Sequence, residues 1–262
     1  MLHDFSGKSV LITGGTAGIG KASAKVFAAC GARVTINGRS PERLDQTLAE
    51  IGPLGQVTGV VADVADPAQC QTLYDTVTRN GPLDILVNNV GIFAVCPFAE
   101  ITDEEWFRFF NVNVMSAVRL CRLALPPMLH NHTGRIVNVA SEAGAKPLSE
   151  TIHYSVTKTA LIGLSRGLAE MTKGTGVTVN SVLAGPTWTE GVRDYYEGLA
   201  QQEGRSIAEV SHDYFRKHEP SSLLQRFLDP AEVADAIVFL AGNPGVNGTA
   251  QRIEGGIIRS IL

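Results

Sequence analysis

The chain has 262 residues, of which 44% are hydrophobic and 18% charged, and its formal net charge is −4. This length and apolar content are enough for one large α/β domain with a sizeable core. The acidic balance argues against nucleic acid or an anionic membrane as a partner, because both are usually bound by a basic face. No apolar run is long enough to span a membrane, and the first residues lack a signal-peptide pattern, so we expect a soluble, cytoplasmic protein.

The sequence predicts neither a metal site nor a disulfide framework. The pair His130 and His132 has H-x-H spacing, but no third ligand is evident nearby. Four cysteines occur without C-x-x-C spacing and without histidines at ligand spacing, and are expected to be free thiols: Cys30, Cys70, Cys96 and Cys121.

Short β-branched runs alternate with helical patterns along the chain. Near-continuous apolar content in such runs is typical of a parallel sheet covered on both faces. The strands are predicted at 8–13, 32–37, 56–63, 83–89, 134–140 and 177–182. Cap residues followed by proline indicate helix starts at Ser40, Asp66 and Asp229, and further long helices are predicted at 103–130 and 154–172. The alternation predicts a doubly wound parallel sheet, a Rossmann fold with helices on both faces, in a single domain over 1–262.

Residues 188–228 interrupt this alternation, because the segment is too long for a simple crossover. We interpret it as an extra helical pair that serves as a substrate lid. A helical pair that only packs on the domain is the alternative. Its aromatic residues favour an apolar or cyclic ketone, or an acyl thioester, over a sugar as substrate: Trp188, Tyr195, Tyr196, Tyr214 and Phe215.

A glycine-rich loop follows the first predicted strand. Thr13, Gly14, Gly18 and Gly20 fit the pattern T-G-x-x-x-G-x-G. Glycines at a strand–helix junction let a pyrophosphate approach backbone N–H groups at the positive end of the helix dipole. The loop therefore predicts a dinucleotide site.

The end of the second predicted strand bears on which dinucleotide binds. An NAD site usually has an acidic residue there, which takes the ribose hydroxyls. This chain instead has Asn37, Gly38 and Arg39, and a guanidinium can pair with a 2′-phosphate. We therefore expect NADP(H) to be preferred, with NAD(H) as the alternative cofactor.

Three side chains in the stretch 141–158 have a spacing suited to proton transfer. Tyr154 and Lys158 are four residues apart and share one face if the segment is helical. A nearby ammonium favours the phenolate and brings the tyrosine pKa toward working pH. Ser141 ends a predicted strand, where its hydroxyl could hydrogen-bond a substrate carbonyl.

With these motifs in one order, the chain resembles the short-chain dehydrogenase/reductase family over nearly its whole length, and specifically 3-oxoacyl-carrier-protein reductases. Further matches are Asp63 after the third strand, the segment Asn88–Gly91 in place of N-N-A-G, and Asn113 in a helix. The resemblance implies a catalytic tetrad of Asn113, Ser141, Tyr154 and Lys158. It also implies that the cofactor is bound by Thr13, Gly14, Thr16, Gly18, Ile19, Gly20, Arg39, Asp63, Val64, Asn89, Gly91, Tyr154, Lys158, Pro186, Thr187 and Thr189.

The resemblance also assigns roles. Tyr154 would be the general acid/base, Ser141 would orient the substrate, and Lys158 would lower the tyrosine pKa and hold the nicotinamide ribose. Asn113 would anchor a water-linked proton relay to Lys158. One departure is Ala184-Gly185 where the family usually has P-G, although Thr187 and Thr189 remain for the carboxamide.

Two neighbours of the tetrad are titratable. Glu142 is expected to reach the pocket and repel acidic substrates, whereas His153 is expected at the surface or the pocket rim, since helix neighbours point in different directions.

The leading hypothesis is an NADPH-dependent oxidoreductase that transfers hydride between nicotinamide and a carbonyl or secondary alcohol. The alternative is a catalytically silent dinucleotide-binding sensor or structural partner, which would not depend on Tyr154. Epimerases and dehydratases of sugar nucleotides are disfavoured, because they usually carry an added C-terminal substrate domain.

The resemblance further implies a homo-oligomer, a tetramer or a dimer, assembled through helices 103–130 and 154–172 and the C-terminal tail. The apolar tail residues are expected to be buried against a partner or the lid: Ile257, Ile258, Ile261 and Leu262.

Overall fold

A computed structural model describes residues 3–261 of the chain. Within this range seven parallel strands form one sheet in the order β3-β2-β1-β4-β5-β6-β7. The strands are β1 Ser9–Ile12, β2 Arg33–Gly38, β3 Val57–Val61, β4 Ile85–Asn88, β5 Thr133–Val139, β6 Gly176–Ala184 and β7 Ala250–Ile253. The strand order reverses direction between β1 and β4, which is where open α/β sheets form a ligand crevice.

The helices between the strands begin where the cap signals predict. Ser40 Oγ accepts a hydrogen bond from the Arg43 N–H, and Asp66 accepts from the N–H groups of Ala68 and Gln69. The helices are α1 Gly18–Ala29, α2 Pro41–Ile51, α3 Pro67–Thr78, α4 Asp103–Phe110, α5 Ser116–His130, α6 Ile152–Glu170, α7 Glu190–Glu203, α8 Ile207–Lys217 and α9 Pro230–Gly242.

Both faces of the sheet are covered by helices, as the apolar strands predict. Val10 and Ile12 of β1 pack in one core with Phe27 of α1 and Ile237 of α9. Leu11, between them, points to the opposite core, which α3 and α5 close. The prediction of a doubly wound Rossmann fold is confirmed.

All six predicted strands are present, and β7 is an additional one. It pairs in parallel with β6, in a register that runs from Ser181 opposite Ala250 to Ala184 opposite Ile253. Polar Gln251 and Arg252 break the apolar run on which strand prediction depends, and the strand is only half-buried because it lies at the sheet edge.

The long helix predicted at 103–130 is divided. A π turn at Asn111–Met115 separates α4 from α5 and places Asn113 inward, where it is buried. Such turns insert one extra residue and often occur at functional sites.

Residues 188–228 form the expected helical pair, α7 and α8. The two ends of the segment meet, because the Trp188 N–H donates to Leu228 O (2.8 Å) and the Leu228 N–H donates to Pro186 O (2.8 Å). The segment therefore leaves the fold and returns to it at one point.

The C-terminal tail is partly buried. Ile257 is buried, and its carbonyl accepts from Ser221 Oγ (2.9 Å) in the 188–228 segment, whereas Ile261 is 96% exposed. Leu262 lies outside the described residues. Across residues 3–261 no helix is both long and apolar enough to cross a bilayer.

Candidate active site

The predicted site residues gather at the carboxyl ends of the central strands. The glycine loop follows β1, Asn89 and Gly91 follow β4, and Ser141 follows β5. Pro186, Thr187 and Thr189 follow β6. Tyr154 and Lys158 reach the same region from α6. Sheet topology thus brings these residues to one crevice.

The glycine loop has a backbone that other residues would not adopt. Gly14 and Gly18 have φ angles of 63° and 51°. A Cβ on Gly20 would lie 2.3 Å from Gly14 O. The loop therefore turns sharply and presents the N-terminus of α1 to the crevice.

An anionic group already lies on this helix terminus. The Glu190 carboxylate accepts from the Gly18 N–H (2.7 Å) and pairs with Lys21 Nζ (2.8 Å). These oxygens take the place that phosphate oxygens of a dinucleotide would occupy, so the loop fits a pyrophosphate. Neither Glu190 nor Lys21 is among the site residues predicted from the sequence. Lys21 directly follows Gly20 in the sequence, and this basic residue next to the glycine pattern could have indicated an additional contact to an anion.

Asn89 and Thr13 fasten the loop to the end of β4. Thr13 Oγ1 accepts from the N–H groups of Asn89 (2.9 Å) and Val90 (3.2 Å). Asn89 Nδ2 donates to the carbonyls of Thr13 (3.0 Å) and Gly14 (3.1 Å). These two predicted cofactor residues hold the loop in shape.

Further residues that are predicted to bind the cofactor lie at the ends of β2 and β3. Arg39 is exposed, and across residues 3–261 no hydrogen bond or ion pair engages its guanidinium. Thr16 lies against Gly38, where a Cβ would approach Thr16 Cγ2 to 2.6 Å. The Asp63 carboxylate accepts from the Ala65 N–H (2.9 Å), and Val64 beside it is buried.

The predicted tetrad is assembled around α6. Lys158 Nζ donates to Val139 O (2.8 Å) and lies 5.6 Å from the centroid of the Tyr154 ring. A Cβ on Gly91 would lie 3.3 Å from this ammonium, so glycine leaves room there. Phe93, which was not predicted, packs edge-on against the Tyr154 ring at 5.4 Å between centroids.

Asn113 joins three parts of the site. Its Oδ1 accepts from the Ile92 N–H (2.7 Å), and its Nδ2 donates to Ile92 O (3.0 Å) and Thr157 Oγ1 (2.9 Å). The π turn, the loop after β4 and helix α6 are therefore held together by one amide.

A sequence model described as short chain dehydrogenase matches residues 8–200. The chain belongs to the short-chain dehydrogenase/reductase family. The uncharacterized oxidoreductase YvrD of Bacillus subtilis (strain 168) is 57% identical over 256 residues and 97% of each chain. It follows that this protein is an NAD(P)-dependent oxidoreductase acting on CH–OH groups.

Solved structures of reductases share the whole fold. L-sorbose reductase from Gluconobacter frateurii, solved with NADPH and L-sorbose, is 30% identical with a TM-score of 0.93, and all of both chains is covered. A variant of actinorhodin polyketide ketoreductase, solved with NADPH, is 30% identical with a TM-score of 0.87 over 95% of this chain and 97% of that one.

In this short-chain dehydrogenase/reductase, burial dominates the electrostatics of the tetrad. Burial, and then the charge of Glu142, raise the pKa of Tyr154, whereas its contact with the Ser141 hydroxyl lowers that pKa. Burial lowers the pKa of Lys158 to about 8, and the Glu142 charge opposes this. The sequence predicts that Lys158 lowers the pKa of Tyr154, but in the structure this pKa is raised, because burial is the dominant effect.

Glu142 lies against the tetrad, as the sequence predicts. Ser141 Oγ donates to Glu142 Oε2 at 2.6 Å. Burial raises the pKa of Glu142 to about 7. Its charge therefore varies within the neutral pH range.

The expectation for His153 is wrong. Its side chain is 1% exposed and packs against Phe109 at 4.0 Å between ring centroids, with Trp106 at 6.2 Å. Burial lowers its pKa. Helices α4 and α6 pack directly on each other here. The His153 side chain points away from the crevice, but it is buried between these two helices instead of being exposed to solvent.

The aromatic residues of 188–228 do not indicate an apolar pocket. Trp188, Tyr196, Tyr214 and Phe227 pack on one another, with ring centroids 5.0 to 6.1 Å apart, and form the core of the helical pair. The sequence shows aromatic content but not where the rings point. Phe93, outside this segment, provides an apolar contact beside Tyr154.

Proposed function

We propose that this protein is an NADPH-dependent reductase of ketones that also oxidises the matching secondary alcohols. The observation that carries the proposal is the meeting of Ser141, Tyr154, Lys158 and Asn113 beside a loop that binds an anion at Gly18. When bound, NADPH supplies the hydride that reduces the carbonyl carbon.

Each tetrad residue has a chemical role consistent with its contacts. Tyr154, held protonated by its raised pKa, donates a proton to the carbonyl oxygen. Ser141 hydrogen-bonds the same oxygen as negative charge develops on it. Lys158, with a pKa of about 8, is mostly cationic at pH 7 and stabilises that charge. Asn113 positions helix α6 and the loop after β4.

Two features support NADPH over NADH. Arg39 is exposed at the end of β2 with its guanidinium unengaged, so it is free to pair with a 2′-phosphate. Both reductases of known structure named above were solved with NADPH.

The substrate we propose is a neutral ketone or a 3-oxoacyl compound. Phe93 provides an apolar contact next to Tyr154, while the Glu142 charge disfavours a carboxylate close to the reacting carbonyl. L-sorbose, the ligand of the sorbose reductase, is also a neutral ketone and extends the candidates to ketoses.

The test is oxidation of NADPH and of NADH by the purified protein against ketones, ketoses, diketones and 3-oxoacyl thioesters. We expect turnover that prefers NADPH and falls at least about a thousandfold in Tyr154→Phe, because the ring remains but the proton donor is lost. Tyr195→Phe, a change on the exposed face of α7, is the matched control and should keep full activity. Tight NADPH binding by wild type, without turnover on any class, would favour the silent sensor.

A further inference from the structure

The hydroxyl of Ser141 has a single proton, and an ionised Glu142 lies in position to accept it. Ser141 Oγ donates to Glu142 Oε2 at 2.6 Å and accepts from the Ala143 N–H at 3.1 Å. A hydroxyl has one donor and two acceptor lone pairs. With the Glu142 carboxylate taking the proton, Ser141 has only one lone pair left for a substrate.

Protonation of Glu142 reverses this assignment. A carboxylic acid donates its own proton to Ser141 Oγ, so both lone pairs are filled, by Glu142 and by the Ala143 N–H. The serine proton is then free to be donated to a substrate oxygen. The two protonation states of Glu142 therefore present a donor or an acceptor at the same point of the site.

The surroundings of Glu142 favour the neutral acid. Glu142 is buried, and the side chain of Glu219, which is 0% exposed, repels its charge. Glu219 Oε1 has no hydrogen-bond partner, while its Oε2 pairs with Lys146. Burial outweighs the other effects and raises the pKa of Glu142 to about 7.

The remaining titratable groups that face Glu142 come from α6 and α8. Tyr154 and Lys158 on α6 and Tyr214 on α8 all interact with its charge. Lys158 is the cation among these groups, and it favours the carboxylate. The balance of these effects leaves the pKa of Glu142 at about 7.

We propose that Glu142 gates Ser141: the neutral acid frees the serine proton for the ketone oxygen during reduction, and the carboxylate leaves a serine lone pair for the alcohol during oxidation. This inference rests on the proposed reductase function. Glu142 touches Ser141 and is a positioning residue, so its protonation state does not change during the catalytic cycle in either direction. The proton gained by the ketone oxygen comes from Tyr154.

The test compares pH profiles of kcat and kcat/KM for ketone reduction. We expect the wild-type rate to fall about tenfold per pH unit above a midpoint near 7, since the fraction of neutral acid falls at that rate. In Glu142→Gln the amide N–H₂ donates to Ser141 Oγ at every pH, so the fall that belongs to Glu142 should disappear. The fall that remains in this variant belongs to Lys158, whose pKa is lowered by burial. In Glu219→Gln the repulsion is gone, and the midpoint should move to lower pH.

Glu150→Gln is the matched control, because Glu150 is a half-exposed carboxylate on the same segment. Its profile should match that of wild type. Difference infrared spectra give a readout without turnover: the protonated-carboxyl band of wild type should titrate near pH 7 and be absent in Glu142→Gln.

Two results would overturn the proposal that Glu142 controls the hydrogen bonding of Ser141. One is a wild-type pH profile in Glu142→Gln. The other is an equal loss of rate at every pH in that variant, which indicates a merely structural role. Either result, obtained with turnover that still depends on Tyr154, leaves the reductase proposal intact. Turnover that is independent of Tyr154 rejects that proposal instead.

Discussion

Arg39 and Tyr154 show how the degree of exposure of a single residue determines what its side chain can do in this molecule. Tyr154 is surrounded by protein, so its pKa rises and the phenol is available as an acid. Arg39 is exposed and always charged, so its contribution depends on what binds next to it. In the function that we propose, Tyr154 serves the reaction and Arg39 serves the choice of cofactor.

Replacing Arg39 with alanine is expected to weaken NADPH binding about tenfold and to leave NADH binding unchanged. The reason is the loss of charge-assisted hydrogen bonds to a 2′-phosphate, at a site where solvent screening reduces their strength. Calorimetric titration with each cofactor measures this. Arg79→Ala, at the exposed end of α3, is the control. Equal weakening of NADPH binding and NADH binding would show that Arg39 does not recognise the 2′-phosphate.

At the scale of elements, α7 and α1 meet through a charged contact. Glu190, in the first turn of α7, lies on the N-terminus of α1 through the Gly18 N–H and Lys21. Thr189 beside it lies close to Gly18, where an added Cβ would approach Thr189 Cγ2 to 2.8 Å. The start of the 188–228 segment therefore lies over the glycine-rich loop, where the pyrophosphate is expected to bind.

Glu190→Gln is expected to tighten NADPH binding about fivefold, because the pyrophosphate no longer has to displace a carboxylate from the helix terminus. Fluorescence titration of NADPH gives the dissociation constant. Glu197→Gln, farther along α7, should leave it unchanged. Weaker binding in Glu190→Gln would mean that the carboxylate supports the loop instead of competing for it.

The sequence predicts elements whose signals are local. Cap residues at Ser40 and Asp66 and the apolar runs of the six predicted strands depend on neighbours along the chain, so they could be read directly. The π turn at Asn111–Met115, the contact of Glu190 with Gly18 and the burial of His153 depend on packing between distant segments. The proximity of Ser141, Tyr154 and Lys158 could be predicted because β5 and α6 fix their spacing, whereas Phe93 carries no motif. The catalytic tetrad itself was implied by the family resemblance and stays a prediction.

At the scale of the whole molecule, α4 and α6 each expose a large apolar side chain. Phe107 on α4 is 74% exposed, and Val156 on α6 is also exposed. Exposed apolar residues on neighbouring elements often mark an interface between subunits. We propose that copies of this chain associate through these helices, as the family resemblance implies.

Phe107→Asp is expected to shift the protein toward smaller species in light scattering at micromolar concentration, since a charge would be buried without a partner. Leu54→Asp, at the other end of the sheet near β3, should leave the mass unchanged. A wild-type monomer under these conditions would reject the homo-oligomer.

The most direct measurement of the central claim is the transfer of label from cofactor to product. Reduction of a ketone with NADPH deuterated on C4, on the transferred face, should place one deuterium on the carbinol carbon, and Tyr154→Phe should form almost no product. A reduced product without deuterium, or undiminished product from Tyr154→Phe, would contradict the account.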